Sequence, residues 1–557
     1  MVKNFSLKKE TRKCDFLKCI QFLIFCCFLS FFLACTDSIP DKFSNSNDPF
    51  NIYPDYKDVY VPVNVAPLNF KIDGKDGKTV CRVSVEGIEP LIVSGKNGEV
   101  CFPLSKWKNF LSNAVQGKDS ALVSVDVWYK ERERWKKFSP FEITVVNDSI
   151  DRYATCRLIE PSYTLTGEIG LFEFDIETGK VKQFVGVGKF DTDYNYIGHK
   201  CMNCHTSQVG HPKNKVFHHR SNNGGMVVTY NGETKIVDTK VGDMPASAVY
   251  ERWHPSLPLI VFSDNVVRQA FPSLGYCKIE VFDYYSDLLL YDVEKNTVEY
   301  VLKTRDTMET YPTWSPDGKY LYYCQTDSLG IGQENPYEGR LYDLYRIPFN
   351  LETRTFGQPE AVYQPSAIQH SVAKPSVSAD GRYVAMTQSS FGAYHYFHYD
   401  ADVVVYDLQD SLVLDVDVVN SNRPEGYAQW SSTGRWLMVS SRRDDGNYAR
   451  LYFSYFDRNG KAHKPFQLPH EDPLYDLYLL KSYNCPDICR EPVVYTRQSV
   501  SKMLRKGEHQ KAEYKGTLDQ MLIDAYSGAS TMVQEDETEE EKSGDESVKE
   551  EETPQKE

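Results

Sequence analysis

The chain has 557 residues, too many for one ordinary hydrophobic core, so two or more domains are expected. Aromatic residues make up 13%, with 38 Tyr, 33 Gly and 28 Pro, a composition that favours many strands and turns over a helical bundle. The net charge is −15, but residues 535–557 alone carry 12 acidic against 3 basic side chains and residues 1–34 carry 6 basic against 2 acidic, which leaves a mild −10 elsewhere and no basic stripe for nucleic acid.

The first residues read as an export signal. Lys3, Lys8, Lys9, Arg12, Lys13 and Lys18 precede an apolar run over 20–34 that is too short to span a bilayer comfortably. The run ends in Phe32-Leu33-Ala34-Cys35, which resembles the lipobox of bacterial lipoproteins. That resemblance implies removal of residues 1–34 and a lipid on Cys35, the new N-terminus; a transmembrane anchor is the alternative. Residues 35–56 are polar and rich in Pro, Ser and Asn, as a tether would be. The expectation is a body held to the membrane through Cys35.

Residues 57–150 hold five strand-like runs ("VYVPVNVAPLNFKI", "KTVCRVSVEG", "EVCFPL", "SALVSVDVWYK" and "PFEITVVND") and one helical stretch, "LSKWKNFLSNAV". This predicts a β-sandwich domain. Cys81 and Cys101 stand on neighbouring strand candidates, as a disulfide or as two separate thiols.

Next comes "HKCMNCHTSQ", His199 to Gln208, in which two cysteines three apart are followed by a histidine. The spacing admits covalent haem, a redox dithiol or half of a zinc site. For haem c, Cys201 and Cys204 would form the thioethers and His205 would ligate the iron. A thioredoxin-type dithiol opens a helix, whereas Gly210 and Pro212 follow here. Zinc would recruit His211, His218 or His219 beside the two cysteines, and a structural disulfide is the plain alternative. For a sixth iron ligand, "VFHHRSNNGGMVV" offers His218 first, His219 second and Met226, with His211 and Met244 also near in sequence. If Val216-Phe217 begins a strand, His218 and His219 point to opposite faces. Gly224-Gly225 reads as a turn.

The middle of the chain repeats itself. "YPTWSPDGKYLYYC" (311–324), "KPSVSADGRYVAMT" (374–387) and "YAQWSSTGRWLMVS" (427–440) align without gaps, and "YERWHPSLPLIVFS" (250–263) is a weaker copy. Each predicts a hairpin whose turn is Asp317-Gly318, Asp380-Gly381 or Thr433-Gly434; the two aspartates serve backbone geometry, not catalysis. "DLLLYDVEKNTVEYVL" and "DVVVYDLQDSLVLDVD" supply further strand pairs, so each unit is a four-stranded sheet. The interval from Trp253 to Trp314, Val377 and Trp430 is 61, 63 and 53 residues, the period of a propeller blade with long loops. The W-S-P-D-G-[KR]-Y pattern resembles the PD40 repeats of TolB-like propellers, which implies about six blades over 151–500. "EIGLFEFDIETGKVKQF" (168–184) is expected as an outer hairpin and "PVVYTRQ" (492–498) as the strand that closes the ring. The fold class is thus all-β, a sandwich followed by a TolB-like propeller.

Residues 501–530 are expected as a helical extension and 531–557 as an acidic, disordered tail; Cys485 and Cys489 in "NCPDIC" suggest an extra disulfide. No G-x-S-x-G, H-E-x-x-H or G-x-G-x-x-G pattern is present, so hydrolytic and nucleotide chemistry have no sequence support. In order, "CRLIEPSY", "CMNCHTS", "FHHR", "GG", "WHP" and "SPDGKYLYYC" resemble a group of TolB-like lipoproteins of Gram-negative envelopes, labelled PD40-repeat or cytochrome-c-biogenesis-type proteins. The resemblance spans roughly Tyr56 to Tyr483. It implies an outer-membrane location facing periplasm or surface, a haem c site at Cys201, Cys204, His205 and His218, and electron transfer or haem-linked sensing. The alternative it leaves is a propeller that binds proteins on its face or in its channel, with a structural disulfide or zinc site at the Cys/His cluster; Trp314, Trp430 and Trp436 would serve contact or blade packing.

Overall fold

The computed structural model describes residues 38–161, 169–186, 201–220, 224–272, 277–328, 330, 340–506 and 509–526. The export signal, Cys35 and the acidic tail lie outside the described residues, as does the start of the tether. Among the described residues no helix is long and apolar enough to cross a membrane.

The N-terminal domain is built on one long strand, Ser120–Glu131, where Ala121, Val123, Val125 and Val127 are buried and Leu122, facing away, is 57% exposed. That strand pairs with Phe141–Val146, Thr79–Ser84 and Arg134–Lys137 in a seven-stranded sheet. A three-stranded sheet and the helix Leu104–Ala114 share its core; Trp107, Phe110, Leu111 and Ala114 form the helix's buried stripe at i, i+3, i+4 and i+7. Cys81 and Cys101 are separate free thiols, the first buried and the second exposed.

Six sheets of four or five strands follow. The first blade joins Tyr153–Ile159, Gly170–Asp175 and Lys180–Gly186 to a strand from the far end of the chain, Ser482–Cys489. The second to sixth blades begin on the innermost strands Cys201–Ser207, Val249–Trp253, Thr307–Trp314, Ser371–Val377 and Glu425–Trp430. The molecule is an all-β six-bladed propeller with a sandwich in front, and its ring closes by pairing an early strand with a late one.

Three expectations change. The closing strand is Ser482–Cys489; residues 492–496 are irregular and Arg497–Lys506 is helical. The "NCPDIC" segment is that strand, with Cys485 and Cys489 both free. Four residues along a strand span roughly 13 Å, well beyond disulfide reach. The C-terminal extension is not wholly helical: His509–Lys511 adds in parallel to the outer edge of the second blade and Glu513–Tyr514 to that of the third, before the helix Gln520–Tyr526.

The repeated turn has a hydrogen-bond reason for its residues. At Ser315-Pro316-Asp317-Gly318, Asp317 Oδ1 accepts from Ser315 Oγ (2.7 Å) and from the Lys319 N–H (3.1 Å), while Ser315 Oγ accepts from the Tyr320 N–H (2.9 Å). Ser378 and Asp380 repeat this arrangement at 2.6, 3.1 and 2.9 Å. Asp317 and Asp380 are therefore turn residues.

Candidate functional site: the axial funnel

Each innermost strand carries a register shift near its middle: between Asn203 and Thr206, Val249 and Arg252, Thr310 and Thr313, Ala373 and Ser376, Gly426 and Gln429, and opposite Thr155 and Arg157 in the closing strand. At each shift one residue takes a left-handed backbone: Cys204 (φ 52), Tyr250 (59), Tyr311 (53), Lys374 (54), Tyr427 (51) and Cys485 (47). Side chains other than glycine adopt this region at a cost, so a sixfold recurrence is a property of the blade, and the bulge aims one side chain per blade at the axis. All six line one cavity of about 390 Å³, which opens past Ser315, Pro316, Ala379 and Ser432 on the face of the Asp-Gly turns.

This accounts for half of the cysteine–histidine motif. Cys204-His205-Thr206-Ser207 aligns with Tyr311-Pro312-Thr313-Trp314, and Cys485-Pro486-Asp487-Ile488 aligns with both. The floor of the funnel is thus a ring of three tyrosines, two cysteines and a lysine.

Its contacts are specific. The Tyr250 and Tyr311 rings lie 4.2 Å apart and the Tyr311 hydroxyl donates to that of Tyr250 (3.3 Å). The Lys374 amine sits 4.7, 5.0 and 5.4 Å from the centroids of Tyr311, Tyr427 and Tyr394 and donates to the Ala393 carbonyl (3.3 Å). Burial lowers its pKa to about 8, with Cys485 the first opposing influence. Cys485 Sγ donates to Asn484 Oδ1 (2.9 Å), which also accepts from Arg157 (2.6 Å). Burial pushes the Cys204 thiol well up, and Glu251 adds to it. On the wall, Asp487 accepts from the Ser207 N–H (3.0 Å) and burial raises its pKa. Arg252 is a second wall cation, and its charge acts on the Asp487 carboxylate of the same wall.

The expected haem residues are spread across the second blade. Cys204 and His205 both line the funnel. Cys201 pairs with Arg220 in the ladder, and its side chain lies outside the described ones; Met202, between them, is fully buried against Phe217, Val227 and Ile236. His218, opposite Asn203, stands with Nδ1 3.3 Å from Glu251 of the third blade. His219 is buried and, one residue along the strand, belongs to the other face, as alternation predicts. Met226 and Met244 are buried in the core between the second and third blades, and His211 is exposed in a turn. None of these sixth-ligand candidates lines the funnel. Among the described residues no three His, Cys, Asp or Glu side chains gather as a metal set.

His205 nevertheless suits a ligand. It is buried, and neither ring nitrogen reaches a hydrogen-bond partner at good geometry. Burial lowers its pKa to about 3 against partial compensation from the Thr155 backbone, so the imidazole is neutral. The ring tyrosines, Lys374 and Cys485 escaped sequence reasoning as a group. The residue three before Trp253, Trp314, Val377 and Trp430 carried the signal.

No protein-family model matches the chain, and no curated protein matches it in sequence. Solved structures similar to it include TolB from Acinetobacter baumannii (11% identity, TM-score 0.38, 69% of this chain and 85% of that one). Oligogalacturonate lyase from Vibrio parahaemolyticus (10%, 0.30, 70% and 100%) and a hypothetical selenium-binding protein from Sulfolobus tokodaii (9%, 0.34, 78% and 97%) are others. The likeness is one of fold.

Proposed function

We propose that this propeller is a binding module of the cell envelope, tethered through a lipid on Cys35 at the outer membrane, whose axial funnel receives an acidic segment of a partner protein. The observation that carries this reading is the funnel's charge: Lys374, Arg252 and Arg490 line it against two carboxylates, Asp151, which is held by Ser432, and Asp487, whose pKa burial raises, in a chain whose net charge is −15. Half-buried cations in a concave, aromatic-walled site favour anionic groups and hold them by partly desolvated charge. Hexaglutamate added to the purified protein should raise the melting temperature through linkage, hexalysine should not, and Lys374→Met or Arg252→Gln should remove the effect. Equal action by both peptides, or indifference to the two substitutions, defeats the proposal.

A second reading has its own support. The unbonded nitrogens of His205 beside Cys204 favour a prosthetic group, and in that reading Cys201 and Cys204 hold a c-type haem by thioethers, His205 is the axial ligand, and His218 or His219 would have to move to become the sixth. Bound haem would supply one-electron transfer. This chain's own contribution would be a neutral imidazole in a water-poor wall. A haem-stained gel and a pyridine haemochrome spectrum of the mature protein from a host with c-type maturation decide it: colour lost in Cys201→Ser, Cys204→Ser supports haem, and a colourless protein excludes it.

A further inference from the structure

Two of the six ring positions are thiols, and they stand on neighbouring innermost strands, the second blade's and the one that closes the first. These strands pack directly against each other, both side chains line the funnel, and both thiols are free. The two residues occupy the same place in the blade, with φ 52 and 47, so their Cα–Cβ bonds leave equivalent bulges toward one axis. They differ in surroundings. Cys204 is 5% exposed. Cys485 is only partly buried, so it is the sulfur that a molecule entering the funnel meets first.

We propose that Cys204 and Cys485 form a dithiol site for thiol–disulfide exchange at the floor of the funnel, with Cys485 the attacking and Cys204 the resolving sulfur. The substrate class is a disulfide small or extended enough to enter the funnel. The Cys485 thiolate attacks one sulfur of the substrate disulfide, that S–S bond breaks, and the departing thiolate takes a proton. The Cys204 sulfur, on losing its proton, then displaces the second substrate thiol from Cys485. The net change is one substrate disulfide reduced to two thiols and one inter-blade disulfide formed, with two electrons passing from the protein. The product bond would join the strand that closes the ring to the neighbouring blade. This site does not depend on which anionic segment the funnel takes.

The test uses the full mature chain, reduced, freed of reductant, exposed to oxidised glutathione, alkylated and digested. The expected result is a linked peptide pair containing Cys204 and Cys485. Cys204→Ser should stop at a glutathione adduct on Cys485, and Cys485→Ser should leave Cys204 unmodified on the same timescale. Both variants should keep the wild-type far-ultraviolet circular dichroism, which separates lost chemistry from lost folding; if either unfolds, Cys204→Ala or Cys485→Ala, with the same outcome expected, replaces it. A link between other cysteines such as Cys156 and Cys485, an unreactive Cys485 in the folded protein, or a haem-stained Cys204 overturns the proposal.

Discussion

His254 shows how one side chain ties two blades and makes the fold sensitive to acid. Its Nδ1 accepts from the backbone N–H groups of Ser256 (3.2 Å) and Leu257 (3.0 Å), so the proton sits on Nε2 and is donated to the Gly318 carbonyl of the next blade (3.2 Å). Only the neutral ring makes all three bonds, and burial lowers its pKa to about 4. His205 is held lower still, at about 3. In the unfolded chain both rings take up a proton near pH 6.5, and in the folded protein they do not until well below it. The unfolded state therefore binds more protons between about pH 6.5 and 4, and stability falls as pH falls through that window. Each ring contributes a slope of about 1.4 kcal/mol per pH unit there. His254→Asn should lower stability at pH 7 yet flatten this slope by about that amount, as read from urea midpoints between pH 7 and 4.5. An unchanged slope would show that the ring is protonated in the fold.

The blade's outer edges depend on the C-terminal segment. The Ala512 N–H donates to Asp238 O (3.0 Å), that of Glu513 to Asn296 O (2.9 Å) and that of Lys515 to Val298 O (2.8 Å), while Leu522 is buried beside Tyr285. These bonds cover strand edges that would otherwise invite pairing with another chain. Truncation after Lys506 should cost on the order of a few kcal/mol from the lost bonds and the buried leucine, and should promote self-association; urea unfolding and light scattering check the two effects. Little of this strap was legible in the sequence, because its strands are two and three residues long and owe their conformation to the edges they meet. The hairpins with Asp317-Gly318 and Asp380-Gly381 were legible, since the turn's own hydrogen bonds demand those residues. The second-blade and closing copies were not: both replace the aromatic ring residue by cysteine and lack the Asp-Gly turn, so their place in the repeat is hidden behind the spacing of their cysteines. The funnel itself is a product of ring closure, which brings residues from 204 to 485 together.

At the scale of the molecule, sandwich and propeller share one core. Trp436, Phe453, Phe466 and Leu468 of the sixth blade and Leu158, Phe174 and Tyr483 of the first belong to the same buried cluster as Val59, Phe70, Trp107 and Val145. Polar bonds cross the same boundary: Trp436 Nε1 donates to Asp148 O (3.1 Å), the Tyr455 hydroxyl to Asp148 Oδ2 (2.7 Å) and Asn69 Nδ2 to Glu471 O (3.0 Å). The sandwich thus covers the two blades on either side of the ring's closure, where an early strand and a late one must stay paired. Opening that seam exposes the sandwich core, and unfolding the sandwich uncovers the seam, so neither half has a stable folded state at the other's expense. Calorimetry should therefore show one transition with matching calorimetric and van't Hoff enthalpies. Trp436→Ala, which removes about 3–5 kcal/mol of packing at the boundary, should lower that single transition without splitting it. Two separated transitions, or a sandwich signal that survives propeller melting, would mean that the shared core is an ordinary contact between independent domains.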